Sequence, residues 1–383
     1  MKYIKFCFWV IPFIIAIYSC QKPLDLKATT TNANILVVEG LINAGTDITT
    51  IKLSRTVIID NKNTANPEGG ATVTIENAQA TVATLKEIVK GSYSSSPTVL
   101  NLDKTKQYRV RIKLANGKTY LSDLVDVKVT PPIDSIGYYV KNNGIEIYAN
   151  THDDTNNSRY YLYNYAETWQ FYAKYYSAYI SNGSSLSQRT QAQLVSSCFS
   201  GTTSANIFLN STAALTQNVS YQFPLAFIEG TSEKISVKYS IFVTQTALTK
   251  EAYAFWENLK KSTETLGSIF DAQPSQLIGN IHNIADAAEP VIGYISAGTV
   301  QTKRIYINKH ELPPSFITKY PYNCSIDTAK TNNDLTARVI PLNNGITPLN
   351  PVESPAILPF LYTDRTCGDC TIRGTVQKPA FWQ

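Results

Sequence analysis

Between residues 34 and 130 the chain breaks into seven short segments rich in β-branched residues, at 34–42, 49–59, 71–77, 81–89, 108–114, 118–122 and 124–129, separated by Gly, Asn, Asp and Pro. Branching at Cβ favours extended backbone, and such closely spaced turn residues leave no room for long helices. Seven strands of this length make one sandwich-sized unit, expected over 34–130. Asn116-Gly117, between two of the runs, predicts a two-residue hairpin with positive φ at both central positions.

Pro131-Pro132 removes two backbone donors in succession and marks the end of that unit. A second β domain is expected over 133–310. It opens with a hairpin of 135–140 and 144–150, followed by a long strand at 160–172 and further strands at 221–228 and 234–244. The stretch 177–216, rich in Ser, Thr, Gln, Asn and Gly, predicts long loops around Cys198. One helix is expected near 249–266, capped by Thr249, stapled by Leu248 and Tyr253, and buried along Ala252, Trp256, Leu259, Thr263 and Leu266 up to Gly267. Segments 291–297 and 300–307 read as a closing strand pair around Gly298, and the Pro-rich residues 311–383 as an extended tail. The expected class is mainly β: two immunoglobulin/fibronectin-like β-sandwich domains, one packed helix, and an extended disulfide-held C-terminal tail.

Ahead of these domains, Lys2 and Lys5 precede the apolar stretch 6–18, which has signal-peptide length and is too short to span a bilayer. Ile17-Tyr18-Ser19-Cys20 has the pattern at which a bacterial signal peptidase cuts before a diacylated cysteine. Residues 1–19 are therefore expected to be a lipoprotein signal peptide, Cys20 the lipidation site that anchors the protein to a membrane, and 20–33 a polar tether. The net charge of +5 is spread over Lys and Arg dispersed among acidic residues, so no nucleic-acid partner is expected.

In such an oxidising compartment Cys198, Cys324, Cys367 and Cys370 are disulfide candidates. Three pairings exist, of which Cys367–Cys370 with Cys198–Cys324 is slightly favoured. The same CxxC could supply half a zinc site with Cys324 and His310, a reading that export disfavours. Asp153, Thr155 and Asn157 have the alternate spacing of some calcium loops without the Gly and Glu that complete one. No nucleophile-elbow, zinc-protease or phosphate-loop motif occurs, so catalytic residues, metals and cofactors are all expected to be none.

The window 160–179 is half aromatic, and Tyr160, Tyr163, Trp169, Tyr172 and Tyr175 are candidates for a binding surface that takes a glycan or peptide. Alternation along a strand gives the competing reading, in which many of these rings are core.

Several motifs occur in a familiar order: Cys20; Leu36-Val37-Val38-Glu39-Gly40; Leu53-Ser54-Arg55-Thr56; Thr130-Pro131-Pro132-Ile133-Asp134; Ala252-Tyr253-Ala254-Phe255-Trp256; Gly279-Asn280-Ile281; Gly293-Tyr294-Ile295-Ser296; and Cys367-Gly368-Asp369-Cys370. With them the chain resembles the lipoprotein family called domain of unknown function 4249. The resemblance implies a lipid-anchored place at the outer membrane, on its periplasmic face or at the cell surface, beside TonB-dependent transporters. It implies no catalytic residues. The leading expectation is a non-enzymatic accessory or ligand-binding partner of such a transporter; the alternatives are a hydrolase of exported polymers using paired carboxylates, and a structural or adhesion module.

Overall fold

The computed structural model describes residues 34–57, 66–264, 279–342, 344–353 and 358–383. Cys20, the signal segment 1–19, the whole tether 20–33 and the end of the expected helix at Leu266 and Gly267 lie outside the described residues.

Eight strands occupy the first segment: β1 (Leu36–Asn43), β2 (Thr50–Arg55), β3 (Thr72–Glu76), β4 (Thr81–Val89), β5 (Ser92–Ser94), β6 (Gln107–Lys113), β7 (Thr119–Ser122) and β8 (Val125–Lys128). Next come β9 (Ile133–Lys141), β10 (Gly144–His152), β11 (Tyr160–Tyr172), the short hairpin β12 (Tyr179–Ser181) and β13 (Leu186–Gln188), β14 (Ser197–Thr203), β15 (Phe208–Ser211), β16 (Val219–Glu229), β17 (Lys238–Leu248) and the helix α1 (Lys250–Glu264). The remainder holds β18 (Ile281–Asn283), β19 (Val291–Ile292), β20 (Ser296–Gly298), β21 (Val300–Asn308), β22 (Asp327–Ala329), β23 (Ile346–Pro351) and β24 (Phe360–Asp364).

The first unit is a barrel-like sheet where a two-sheet sandwich was expected. Pairing runs β6–β3–β4–β5–β2–β1–β20–β8, and β8 bonds back to β6 at Tyr108↔Val125, closing a ring around one apolar core. The closing strand comes from far along the chain: β20 lies parallel to both β1 and β8, β19 flanks β1, and β18 pairs with β7. Segment 291–298 is therefore not the partner of 300–307; the ring offers it backbone donors and acceptors on both sides, whereas β21 pairs with β17. Residues 281–298, expected within the second domain, thus belong to the first sheet.

The motif residues that make this return possible are structural. At Gly293, with φ +137°, a Cβ would stand 2.0 Å from the Val38 carbonyl oxygen, so only glycine lets the returning chain press on β1. Asn280 imitates a strand partner: its Nδ2 donates to the Ile295 carbonyl at 2.9 Å, and its Oδ1 accepts from the Ile295 N–H at 2.8 Å. The 116–117 turn differs from a two-residue loop. Leu114 N–H bonds Lys118 O, Gly117 N–H bonds Leu114 O, and Gly117 (φ +85°), unlike Asn116, has positive φ, as in a three-residue loop ending on a glycine.

In the second unit, β14–β11–β17–β21 with β15 beside β11 form one sheet, and β16–β10–β9 another. Ile145, Ile147 and Ala149 of β10 share a core with Tyr161 and Tyr163 of β11 and Ile241 and Val243 of β17, so the two sheets meet through their alternate inward residues. Thr249 caps α1, its Oγ1 accepting from the Ala252 N–H at 3.1 Å. Ala252 and Phe255 are the buried helix residues, while Trp256 stays half-buried, so the packed face is rotated from the one expected; Phe255 lies 5.6 Å from the Tyr294 ring of the barrel return.

The C-terminal residues are not simply an extended tail. β22–β24–β23 form a small antiparallel sheet, and Ala329, Leu335, Val339, Phe360 and Tyr362 give it a core of its own, against which Tyr179 and Leu186 of the β12–β13 hairpin pack. At the extreme end the chain does lie flat on the second unit. Trp382 is buried against Phe199 and Tyr306, and Lys238 Nζ donates to the Gln383 carbonyl at 2.6 Å. Among the described residues no helix is long and apolar enough to cross a membrane.

Candidate functional site: a disulfide-braced cleft

All four candidate cysteines are in disulfides, but the pairing is Cys198–Cys370 and Cys324–Cys367, correcting the favoured Cys367–Cys370 and Cys198–Cys324. Cys367 sits in the one-turn helix Arg365–Gly368 and Cys370 in the next turn, with extended backbone at Asp369 between them (φ −131°, ψ 106°). That reversal gives the two sulfurs different neighbours. Cys370 joins Cys198 and Phe171 on the β11–β14 sheet, and Cys367 reaches Cys324 in the segment before β22. Zinc ligation by these thiols is thereby ruled out in the oxidised protein.

Beside the braces lies a cleft of about 650 Å³ between the β12–β13 hairpin, β23 and the 365–371 turn. Ile180, Pro341, Leu342 and Ile346 supply the accessible apolar wall, with Val339 and Pro348 buried behind it, and Arg189, Arg365 and Asp369 the charge. Asp369 is buried. Its Oδ2 accepts from Arg365 Nε at 3.0 Å, and its Oδ1 from the Thr371 N–H and hydroxyl at 2.9 and 2.6 Å. Arg189 has neutral partners, donating from Nε to Ser177 Oγ at 3.0 Å and from Nη1 to the Gln193 carbonyl at 2.9 Å. Burial lowers its pKa, against which only the field of Asp369 acts. Ser177 in turn donates to the Pro348 carbonyl at 2.7 Å, tying the Arg189 wall to β23.

Two other clefts hold cations and carboxylates that satisfy one another. In one of about 590 Å³, Arg373 pairs with Glu233 and donates to Tyr320 Oη at 2.5 Å, its guanidinium 4.7 Å from the Phe171 ring and 4.8 Å from the Tyr320 ring. In the other, of about 510 Å³ beside the barrel, Glu289 accepts from Lys118 at 2.9 Å and Tyr120 at 2.8 Å. Burial pushes the Glu289 carboxyl up, but these bonds, with Asn283, outweigh it and hold the pKa below the usual value; Tyr120, buried and bonded to Glu289, is pushed up to about 12.

The aromatic candidates do not share one face. Tyr163 is fully buried and stacks on Phe223 at 5.1 Å, so it is core and not binding surface. Tyr160 is half-buried against Tyr253 and Trp169 half-buried with Lys234 Nζ 5.3 Å from its ring centroid. Tyr175 is also half-buried, donating to the Cys324 carbonyl at 3.2 Å; Tyr172 alone of the five is exposed, at 54%. Asp153 spends its oxygens on the N–H groups of Thr155 (3.0 Å) and Ser158 (2.8 Å), closing its own turn. Among the described residues no group of three or more His, Cys, Asp or Glu could hold a metal ion.

Sequence reasoning singled out the CxxC but passed over Arg189, Arg365 and Asp369. Arg365 and Asp369 stand four apart around Cys367, a spacing that brings side chains together on a helical turn; Arg189 lies in a polar loop and carries no such signal.

The molecule is thus a mainly β protein with a barrel-like sheet, a second unit of two sheets, and a disulfide-tied C-terminal lobe. It belongs to the family described as Domain of unknown function (DUF4249), whose model matches residues 21–304. The match takes in Arg189 and Cys198 and ends before Cys324, Arg365 and Asp369. No curated protein matches the chain.

Proposed function

We propose that the protein is a non-catalytic, lipid-anchored component of the outer membrane that captures a ligand in the braced cleft, on its own account or for a TonB-dependent transporter beside it. The observation that carries the binding reading is a small-ligand-sized cleft, about 650 Å³, whose walls are held by two disulfides and whose charge is incompletely neutralised. The anchor rests on Cys20 and its preceding apolar segment, and the transporter on the family resemblance. The two sheets of the second unit, joined by one core, support the immunoglobulin/fibronectin-like sandwich reading for that part of the chain.

The hydrolase reading has less support. A general acid needs a carboxyl whose pKa is raised, whereas Glu289 is held low by its cation and Glu233 is paired with Arg373. Gentle detergent extraction of the native envelope, followed by affinity capture, tests the proposal: recovery with a barrel partner or a retained small molecule is expected, and recovery of the bare chain would overturn it. Cys20→Ala is expected to move the protein out of the membrane fraction.

A further inference from the structure

We propose that the braced cleft takes a small organic monocarboxylate with an aliphatic body, its carboxylate held by Arg189 and Arg365 and its body laid on Ile180, Pro341, Leu342 and Ile346. This deepens the binding reading and rests on it.

Charge sets the sign of the ligand. Two guanidiniums line the cleft with one carboxylate, Asp369, and its oxygens are already engaged by Arg365 and Thr371. Among the described residues no carboxylate oxygen lies within 4.0 Å of Arg189, so a part-buried cation is left with a hydroxyl and a peptide carbonyl as its partners. Asp369 reaches Arg189 only through its field, without contact; a part-buried charge so weakly paired is costly, and an incoming anion lowers that cost. Each guanidinium has five N–H donors in a planar fork. Arg189 commits Nε and Nη1, and Arg365 commits Nε, so both keep terminal nitrogens for a bidentate oxygen pair.

The surplus sets the valence. One uncompensated positive charge is neutralised by a carboxylate, while a phosphate dianion would bring a second negative charge beside the Asp369 carboxylate. The lining sets the body. Among the described residues no aromatic ring lines the cleft, so the stacking surface that sugars favour is missing, and the accessible apolar wall is instead Ile, Leu and Pro. Such a ligand is the end of a peptide with an aliphatic last residue or a free branched acid.

Calorimetric titration of the detergent-solubilised full chain with N-acetyl-leucine, N-acetyl-leucine amide, 4-methylpentanoate and inorganic phosphate tests this. Saturable binding of at least one of the two carboxylates is expected, with the amide and phosphate at least tenfold weaker. Binding of N-acetyl-leucine identifies the peptide terminus as an accepted source; binding of 4-methylpentanoate alone identifies the free acid. Arg365→Gln, which also takes the cation from the buried Asp369, is expected to lower the melting temperature of the unliganded protein modestly without unfolding it, and to weaken binding at least tenfold; Arg189→Lys keeps the charge, loses the fork and weakens it as well. Equal affinity for acid and amide, no binding of either carboxylate, or an Arg365→Gln variant that binds normally would overturn the proposal. A flat titration of a protein that still copurifies with a barrel defeats this inference alone, whereas saturable carboxylate binding by a chain extracted without a barrel leaves it standing and removes the transporter.

Discussion

Thr130 and Thr299 clasp each other at the two places where the chain leaves the barrel for the second unit, after β8 and after β20: Thr130 N–H donates to Thr299 Oγ1 at 2.8 Å, and Thr130 Oγ1 donates to the Thr299 carbonyl at 2.5 Å. The same Thr130 hydroxyl accepts from the Ala247 N–H of β17 at 2.9 Å, so one buried side chain joins both crossings to the second unit. Thr130→Val keeps the shape and strands two buried backbone groups. Its expected cost is about 2–3 kcal/mol in urea unfolding, with little change in the far-ultraviolet spectrum.

Gly293→Ala should be far more damaging than an ordinary Gly→Ala change. The new methyl meets the Val38 carbonyl oxygen 2.0 Å away on an unyielding strand, and the backbone is left-handed besides. Loss of soluble expression, or a destabilisation above about 3 kcal/mol, is the expected result. Gly117→Ala is the control: its φ is also positive but its Cβ would meet open space, so about 1 kcal/mol is expected.

Acid should weaken the barrel through Glu76. This buried carboxylate takes Arg111 Nε at 2.5 Å and Arg109 Nε at 3.0 Å. Burial raises its pKa, but the bonds and charges of Arg111 and Arg109 outweigh that and hold it below its ordinary 4.5. A carboxyl held lower in the folded than in the unfolded chain contributes stability that is complete above the unfolded value and disappears as pH falls through the folded one. Glu76→Gln is therefore expected to cost about 2 kcal/mol at pH 7, the gap to wild type closing as pH drops below about 4.5. Urea midpoints measured across that window check it.

Non-reducing peptide mapping should recover Cys198 with Cys370 and Cys324 with Cys367. The double Cys198→Ser, Cys370→Ser variant opens a loop of 172 residues, and a loss of about 2–5 kcal/mol is expected, with the C-terminal lobe cleaved first by protease.

Local structure was legible where period and punctuation suffice. Strand β11 was readable at Tyr160–Tyr172, and Thr249 announced α1, because alternation and capping are properties of neighbouring residues. What escaped depended on distant partners. Nothing within 291–298 states that Leu41 will be opposite Ser296, since a parallel strand inserted into a gap has no turn to announce it. Likewise Cys367 and Cys370 stand three apart, yet the reversal at Asp369 parts them, and only the fold brings Arg189 into the same cleft as Arg365. Tyr163 shows the limit of composition: ten rings in one window say nothing about which side of the sheet is wet.

The clasp at Thr130 also has a meaning for biogenesis. Because β20 fills the gap between β1 and β8, the N-terminal strands have an open seam throughout synthesis, until a stretch made after β9–β17 arrives to zip it. A nascent chain in that condition exposes unpaired strand edges that a holdase chaperone would cover, and a truncation before 296 leaves the seam permanently open to proteases.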